Sequence, residues 1–484
     1  MIWICLPLLL LLYFAIIFTR AILFAPKGKN PLPPSRSFNI DGERAIKNLQ
    51  AMIKLKTITP DPNDKTDPEN PPYEKHFAEF RALLPQLYPL IHQHCTLEKA
   101  GKGGLLYHWK GRANDKPSVY MSHYDVVPAD EDKWKKPPFS GARENGEIWG
   151  RGTLDTKATL CAVLDAAETL LGEGFVPAQD IYFAFGGDEE IISADAPAIV
   201  ELLHSRGVRP ALVLDEGGAV VEDVFPGVKG QTALIGTGEK GRINVRFSVS
   251  GTGGHASTPP ARSPVGALAR AVTRIEKKSF KAYLCKPTKK MFDTLGRHST
   301  FLYRLIFANL WCFKNLFFRL SKTKGGELNA LLRTTCAFTQ MQGSSANNVL
   351  PVSASVTANM RLMNPDTVKS TIANLQKCIK DESITITGFN AVDPSPFSNT
   401  ESEGYRRVCN AIGAIWNQAV ITPYLMIAAS DSRHFCRISD NVFRFSAMHL
   451  TTEDRKYIHS EDERIRESQF LETVMFYLQI LSES

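Results

Sequence analysis

Five short stretches carry side chains whose types and spacing suit a metal centre. In "SHYDVVP" (Ser122–Pro128), His123 and Asp125 stand two residues apart at the end of an apolar run, "KPSVYM". In a strand, side chains two apart leave the same face, and an imidazole beside a carboxylate suits a metal ligand with an orienting partner. "GRGTLDTKATL" sets Asp155 in a Gly-bounded turn ahead of a helical pattern, and "FAFGGDEEI" ends an apolar run with the adjacent acids Glu189 and Glu190. "LVLDEGG" ends another run with Asp215, and "YIHSEDERI" places His459 near the C-terminus. In an open α/β sheet, strand carboxyl ends line the site crevice, and three of these stretches fall there. Each has a plainer reading alone: a helix cap, a solvated acidic loop, an idle histidine. Together, two imidazoles and three carboxylates with a spare glutamate suit two zinc ions sharing one bridging carboxylate. Of the two adjacent glutamates, one can bind metal while the other takes a proton from the water between the ions.

The elements that must position these residues are legible as patterns. "DGERAIKNLQAMIKLKT" has helical apolar spacing at Ala45, Leu49, Met52 and Ile53, and "TPDPNDKTDPENPPYE" is a loop. From about Phe77 to Asp215, helical patterns alternate with "SVYM", "DIYFAF" and "ALVLD", which predicts an α/β sheet with helices on its faces. Past Gly236, "INVRFSVSG" and "VSASVTANMRL" alternate apolar with polar residues, as half-exposed antiparallel strands do. The expected organisation is a catalytic domain at 41–239 and 389–484, split by an inserted α+β lid at 240–388. A chain of 484 residues is long enough for more than one core. A net charge of +7 and the lack of any recognition module argue against a nucleic-acid partner. The nine cysteines are an odd number, scattered and without CxxC, and read as thiols rather than a disulfide framework.

Two segments carry further expectations. "MIWICLPLLLLLYFAIIFTRAILFAP" is uncharged until Arg20, which predicts a membrane-spanning signal anchor at 1–25 and a Pro-rich linker at 26–40. Arg20, Lys27, Lys29 and Arg36 follow it, so the positive-inside rule puts the body in the cytoplasm. Residues 277–324 hold twelve Lys/Arg against one acid, Asp293, around "FLYRLIFANLWCFKNLFFRL". That reads as a basic apolar surface for an anionic membrane, as the wall of a greasy substrate pocket, or as a lid helix with snorkelling basic residues.

"SHYDVVP", "GRGTLDTK", "GDEE", "LDEGG", "GGHASTPP", "NNVLP" and "SDSRHF" run in order from about residue 41 to the end. With them the chain resembles the aminoacylase and carboxypeptidase G/S superfamily of di-zinc metallopeptidases. It is most similar to the carboxypeptidase S and N-fatty-acyl-amino-acid synthase/hydrolase branch. The resemblance implies one zinc on His123 and Asp215, the other on Glu190 and His459, and Asp155 bridging both, with Co2+ or Mn2+ as substitutes. It makes Glu189 the general base, Asp125 the residue that orients His123, and the Asp155–Thr156 peptide cis. His255 would polarise the scissile carbonyl, with Asn348 helping to hold the intermediate. Arg361 would clamp the substrate's carboxylate, and Ser430 and Asp431 would border the site with Ser432. The implied activity is amide hydrolysis of a small peptide or N-acyl amino acid with a free C-terminal carboxylate. The resemblance also implies a homodimer and an extracytoplasmic or lumenal body, the latter opposed to the positive-inside count. Thr156, Gly187 and "IISADAP" depart from the usual pattern without removing a ligand. The rival from another class is a membrane-anchored binding protein that keeps the fold without catalysis. A mononuclear zinc protease would carry HExxH, which the sequence lacks.

Overall fold

The computed structural model describes residues 2–26, 36–59, 72–191, 193–223, 225, 227–278 and 280–484. Its principal strands, in chain order, are β1 (Thr96–Ala100), β2 (Gly104–Trp109), β3 (Ala113–His123), β4 (Gln179–Gly186), β5 (Leu212–Glu222) and β6 (Gln231–Glu239). They continue with β7 (Gly241–Ser250), β8 (Thr335–Gln342), β9 (Ser353–Leu362), β10 (Thr385–Val392), β11 (Val420–Met426) and β12 (Val442–Leu450).

Eight of these form one mixed sheet in the order β1-β2-β4-β3-β5-β12-β6-β11. β4, β3, β5 and β12 are mutually parallel, and β1 and β2 run antiparallel at one edge. Both faces are covered, which is why "DIYFAF" is a nearly unbroken apolar run rather than an alternating one. Neighbouring side chains divide between two cores. Tyr120 and Phe183 pack on the face covered by the Lys157–Gly172 and Glu467–Ser482 helices. Val119, Met121 and Tyr182 pack on the other, against the Asp195–Ser205 helix and Phe435. A mixed α/β sheet with helices on both faces is the fold class expected from the sequence.

β7 to β10 form a separate antiparallel sheet in the order β8-β9-β7-β10. The Pro264–Lys277 and Val368–Ile379 helices bury Leu268, Ala271, Leu375 and Ile379 against Ile243, Val245, Val356 and Ala358 on one face of it. The other face keeps the polar half of the alternation, including Arg242, Asn244, Asn359 and Arg361.

The basic, apolar stretch is folded onto the protein, where Met291 and Leu295 line a mainly apolar cavity with Phe225, Leu234, Leu328 and Tyr424. The helices Lys286–His298, Phe301–Ala308 and Leu310–Lys324 pack back toward the central sheet, where Met291, Phe292, Leu295 and Phe307 share a core with Tyr424 and Met426 of β11. The residues from 27 to 35 of the expected linker lie outside the described residues.

The expected membrane anchor is corrected. The first helix, α1, spans Ile2–Leu23, but no helix among the described residues is long and apolar enough to cross a membrane. Arg20 interrupts the apolar run short of the roughly 20 residues a span needs, and the helix has a protein partner. Ile17 and Ala21 are buried, Arg20 donates to the Ala308 carbonyl at 3.0 Å, and the Asn309 amide donates to the Ile17 carbonyl at 3.0 Å. The membrane partner and the two opposed placements of the body, both of which assumed that anchor, lose their basis.

Candidate metal centre

The parallel register brings the sequence stretches together. His123 of β3 lies opposite Gly186 of β4, and Tyr120 opposite Leu214 of β5. His123–Asp125 and Glu189–Glu190, at and beyond the ends of β3 and β4, therefore lie beside Asp215–Glu216, which follow the point where β5 stops pairing with β3. Asp155 arrives on the turn before the Lys157–Gly172 helix, after a cis peptide to Thr156, and His459 on a turn where its own φ is 60°.

Asp155 sits between the two imidazoles. Its Oδ1 is 3.1 Å from His123 Nε2 and its Oδ2 is 2.9 Å from His459 Nε2. His459 Nε2 is also 3.3 Å from Glu190 Oε1. On the other side, His123 Nε2 is 3.6 Å from Glu216 Oε1. The ligand atoms of His123, Asp155 and Glu190 lie within 4.8 Å of one another, as do those of His123, Glu189 and Glu216.

Asp125 is fully buried behind this group. His123 Nδ1 is 3.0 Å from the Asp125 backbone carbonyl and 3.3 Å from Oδ1 of its side chain. The Asp125 carboxylate also accepts from the Thr59 hydroxyl at 2.8 Å and from the N–H groups of Glu189 and Glu190, both at 3.2 Å. One carboxylate thus fixes both an imidazole and the turn that carries the two glutamates. Gly187 lets this turn close: a Cβ there would lie 2.7 Å from the Tyr124 hydroxyl.

The electrostatics are those of a site short of cations. Burial pushes the Glu189 carboxyl well above its usual range, reinforced by Glu216, Asp431 and Glu190. Burial and neighbouring Asp155 raise Glu216 to about 8, and burial raises Asp431 to about 7, with Asp215 adding to it. For Asp155, burial pushes upward, but hydrogen bonds from His123 and His459 outweigh it and hold the carboxyl well below the carboxylate range. Those bonds to Asp155 and Glu190 raise His459 to about 10. Buried carboxylates at this density need protons or cations to compensate them. Glu190 Oε1 and Asp431 Oδ1 are buried without a well-directed hydrogen bond among the described residues. The donor set, nitrogen and oxygen only, suits divalent zinc, cobalt or manganese.

Not every predicted residue joins the group. Asp215 turns away, its Oδ2 accepting the Ser432 N–H at 2.9 Å, and the adjacent Glu216 approaches His123 instead. Ser430 and Asp431 lie on that same loop, with the Ser430 N–H 3.2 Å from Glu239. His255 lies on a short exposed strand pair opposite Val349, and Asn348 just precedes that pair's second strand, its carbonyl accepting the Ala256 N–H at 3.0 Å. Neither makes a hydrogen bond or ion pair with the carboxylate group among the described residues. Arg361 lies on the polar face of the antiparallel sheet.

Two supporting residues escaped the sequence reading. Glu216 carries the same signal as Glu190, an acid next to an acid after an apolar run, and "LDEGG" contains it. Glu463, fully buried, accepts from the N–H groups of Gly152, Leu154 and Asp155 at 3.1, 2.7 and 3.3 Å, and from Arg151 at 2.7 Å. It ties the Asp155 turn to the segment that carries His459. Its only sequence signal is an acid four residues after a candidate ligand.

A family model described as peptidase family M20/M25/M40 matches residues 119–483. The chain belongs to that family. It is 35% identical over 442 residues to probable carboxypeptidase S-like 2 of Dictyostelium discoideum, covering 90% of this chain and 84% of the relative. It is 34% identical over 448 residues to the N-fatty-acyl-amino acid synthase/hydrolase PM20D1 of Xenopus tropicalis, covering 91% and 86%. Among solved structures, an M20 family metallo-carboxypeptidase, Sso-CP2 of Sulfolobus solfataricus, superposes with a TM-score of 0.67 at 17% identity. It covers 90% of this chain and 98% of the other, so the fold is shared. The recognised branch and fold class stand, and the chain is a metal-dependent hydrolase of peptide or related amide bonds.

Proposed function

We propose that the centre holds two divalent ions, zinc with Co2+ or Mn2+ as substitutes, and cleaves the amide bond of an N-acyl amino acid or small peptide with a free carboxylate. The observation that carries this reading is Asp155, with one oxygen toward each imidazole. In this reading Asp155 bridges, Glu190 and His459 hold one ion, and His123 and Glu216 hold the other. Distance supports Glu216 over Asp215, which then backs the site through Ser432. When bound, such ions lower the pKa of a water and polarise a carbonyl.

The protein's own groups do the rest. Glu189, next to Glu190 and steered by the Asp125 carboxylate on its N–H, takes the proton of the attacking water and returns it to the leaving amine. Asp125 keeps the Nε2 of His123 pointed into the site. Arg361 receives the substrate's carboxylate. Residues 41–239 and 389–484 then form the catalytic domain and 240–388 the inserted lid, except that its helices at 286–324 pack on the central sheet. His255 and Asn348 stay exposed and apart from the carboxylates, which supports a homodimer in which each lid serves its neighbour's centre. Similarity to PM20D1 and to a carboxypeptidase S-like protein supports an acyl or peptidyl amino acid as substrate.

Glu189→Gln tests the reading. The expected result is a loss of kcat of about 10²–10⁴-fold, the usual range for a general base, with metal content unchanged. Near-normal turnover would refute it.

A further inference from the structure

Two acids that the chemistry above does not use flank the turn of Glu189 and Glu190. Asp195 lies in "IISADAP", opens the Asp195–Ser205 helix, and is buried without a cationic partner among the described residues. Its Oδ2 accepts the Gly187 N–H at 3.0 Å, and its Oδ1 accepts the Lys102 and Gly103 N–H groups at 2.9 and 3.1 Å. A carboxylate buried without a cation is costly, and here backbone donors compensate it. Asp188 answers in the other direction. Its carboxylate accepts the Ala194 and Asp195 N–H groups at 2.8 and 3.1 Å, and its carbonyl accepts the Ser193 N–H at 2.8 Å. The Asp188 side chain thus holds the backbone of Asp195, while the Asp195 side chain holds the residue before Asp188.

This reciprocal pair is anchored to the rest of the site. Lys102 and Gly103 form the tip of the β1–β2 hairpin, and the Gly103 carbonyl accepts the Tyr124 hydroxyl at 2.6 Å. Tyr124 stands between His123 and Asp125, so the hairpin tip ties the strand end of His123 to the turn of Glu189. A Cβ at Gly103 would lie 2.9 Å from Asp195 Oδ2, so a glycine there lets the carboxylate reach the backbone. Asp125 holds the Glu189 and Glu190 N–H groups from one side, and Asp195 holds Gly187 from the other. A general base must lie within hydrogen-bond reach of its proton, and a displacement of about 1 Å can cost about 100-fold in rate.

We propose that Asp188 and Asp195 form a clasp that positions Glu189 for proton transfer, which makes Asp195 a positioning residue for the hydrolysis. The inference rests on the hydrolase reading above and deepens it.

The test is Asp195→Asn in full-length, zinc-saturated protein, with Asp165→Asn as control. Asp165 is also buried, holding Arg44 and Tyr88 at 3.3 and 2.9 Å, and lies ten residues along its helix from Asp155, about 15 Å. Asp195→Asn is expected to lose kcat about 10–100-fold with KM nearly unchanged. Asp165→Asn should lower the thermal midpoint and leave kcat close to wild type. A kcat near wild type in folded Asp195→Asn, or an equal loss in Asp165→Asn, would overturn the proposal. Asp188 is half-buried, so Asp188→Asn opens the other half of the clasp if Asp195→Asn does not fold, and an unchanged kcat there would also overturn it. Amide hydrogen exchange at Gly187, Glu189 and Glu190 reads the clasp without turnover. Faster exchange in Asp195→Asn with no hydrolysis by wild type would sustain the clasp and defeat the hydrolase reading. Hydrolysis by wild type with exchange and kcat unchanged in the variant would do the reverse.

Discussion

Glu463 offers the sharpest test of how the centre is built, because it contacts no substrate yet fixes a ligand turn. In the structure one oxygen accepts three backbone N–H groups and the other accepts Arg151, all in a fully buried setting. Removing one partner of a buried charge pair costs about 3–5 kcal/mol. Each orphaned N–H costs about 1–3 kcal/mol, and these terms overlap rather than add. Glu463→Ala is therefore expected to lose about 4 kcal/mol. Glu463→Gln keeps the acceptor for the N–H groups but aims an amide NH2 at Arg151, so roughly half that loss is expected. The assay is equilibrium urea unfolding of chelator-stripped protein, which separates the scaffold from metal binding. Zinc affinity should fall by about 10–100-fold in parallel, as it does when groups supporting a ligand are removed. A loss below about 1 kcal/mol in Glu463→Ala would refute the role given to this residue.

Asp125→Asn should weaken metal binding and kcat together, about 10–100-fold in affinity, measured by metal titration, because it loosens both His123 and the Glu189–Glu190 turn. Gly187→Ala should destabilise the protein by about 1–3 kcal/mol, read by thermal unfolding, since its Cβ meets the Tyr124 hydroxyl and ring. The metal-free protein should lose stability as pH rises. His459 is raised to about 10, so its contribution is fully present below its unfolded value near 6.5 and fades as pH climbs through 10. Glu216, raised to about 8, acts in the same direction, its contribution lost as pH climbs from its unfolded value through 8. Metal binding must expel those protons, so zinc affinity should rise over the same interval. A flat or rising thermal midpoint of the stripped protein between pH 6.5 and 10 would contradict this.

Most of the centre was readable because a parallel sheet gathers strand ends. Once "SVYM", "DIYFAF" and "ALVLD" are neighbouring strands, the residues that follow each one must converge. Sequence does not separate Asp215 from Glu216, since adjacent residues in a strand differ in which way each side chain turns, and Asp215 is held by the distant Ser432 while Glu216 approaches His123. Glu463 was invisible for a related reason: its partners are backbone N–H groups, which leave no residue-type signature. The first helix misled through its apolar run. The contacts that seat its C-terminal half on the protein, Arg20 with Asn309 and Asn309 with Ile17, join residues far apart in sequence, while Leu8 to Leu12 stay exposed. The alternation of β7 and β9 is enough to read an antiparallel sheet, whereas the packing of residues 286–324 against β11 depends on contacts that periodicity does not encode.

The central claim is a pair of cations shared by Asp155, and counting them is the most direct test. Stripped protein titrated with zinc, with bound metal measured by elemental analysis and activity followed on an N-acyl amino acid, should bind two equivalents per chain and regain turnover as the site fills. Full activity with no metal bound, or saturation below one equivalent, would contradict the account.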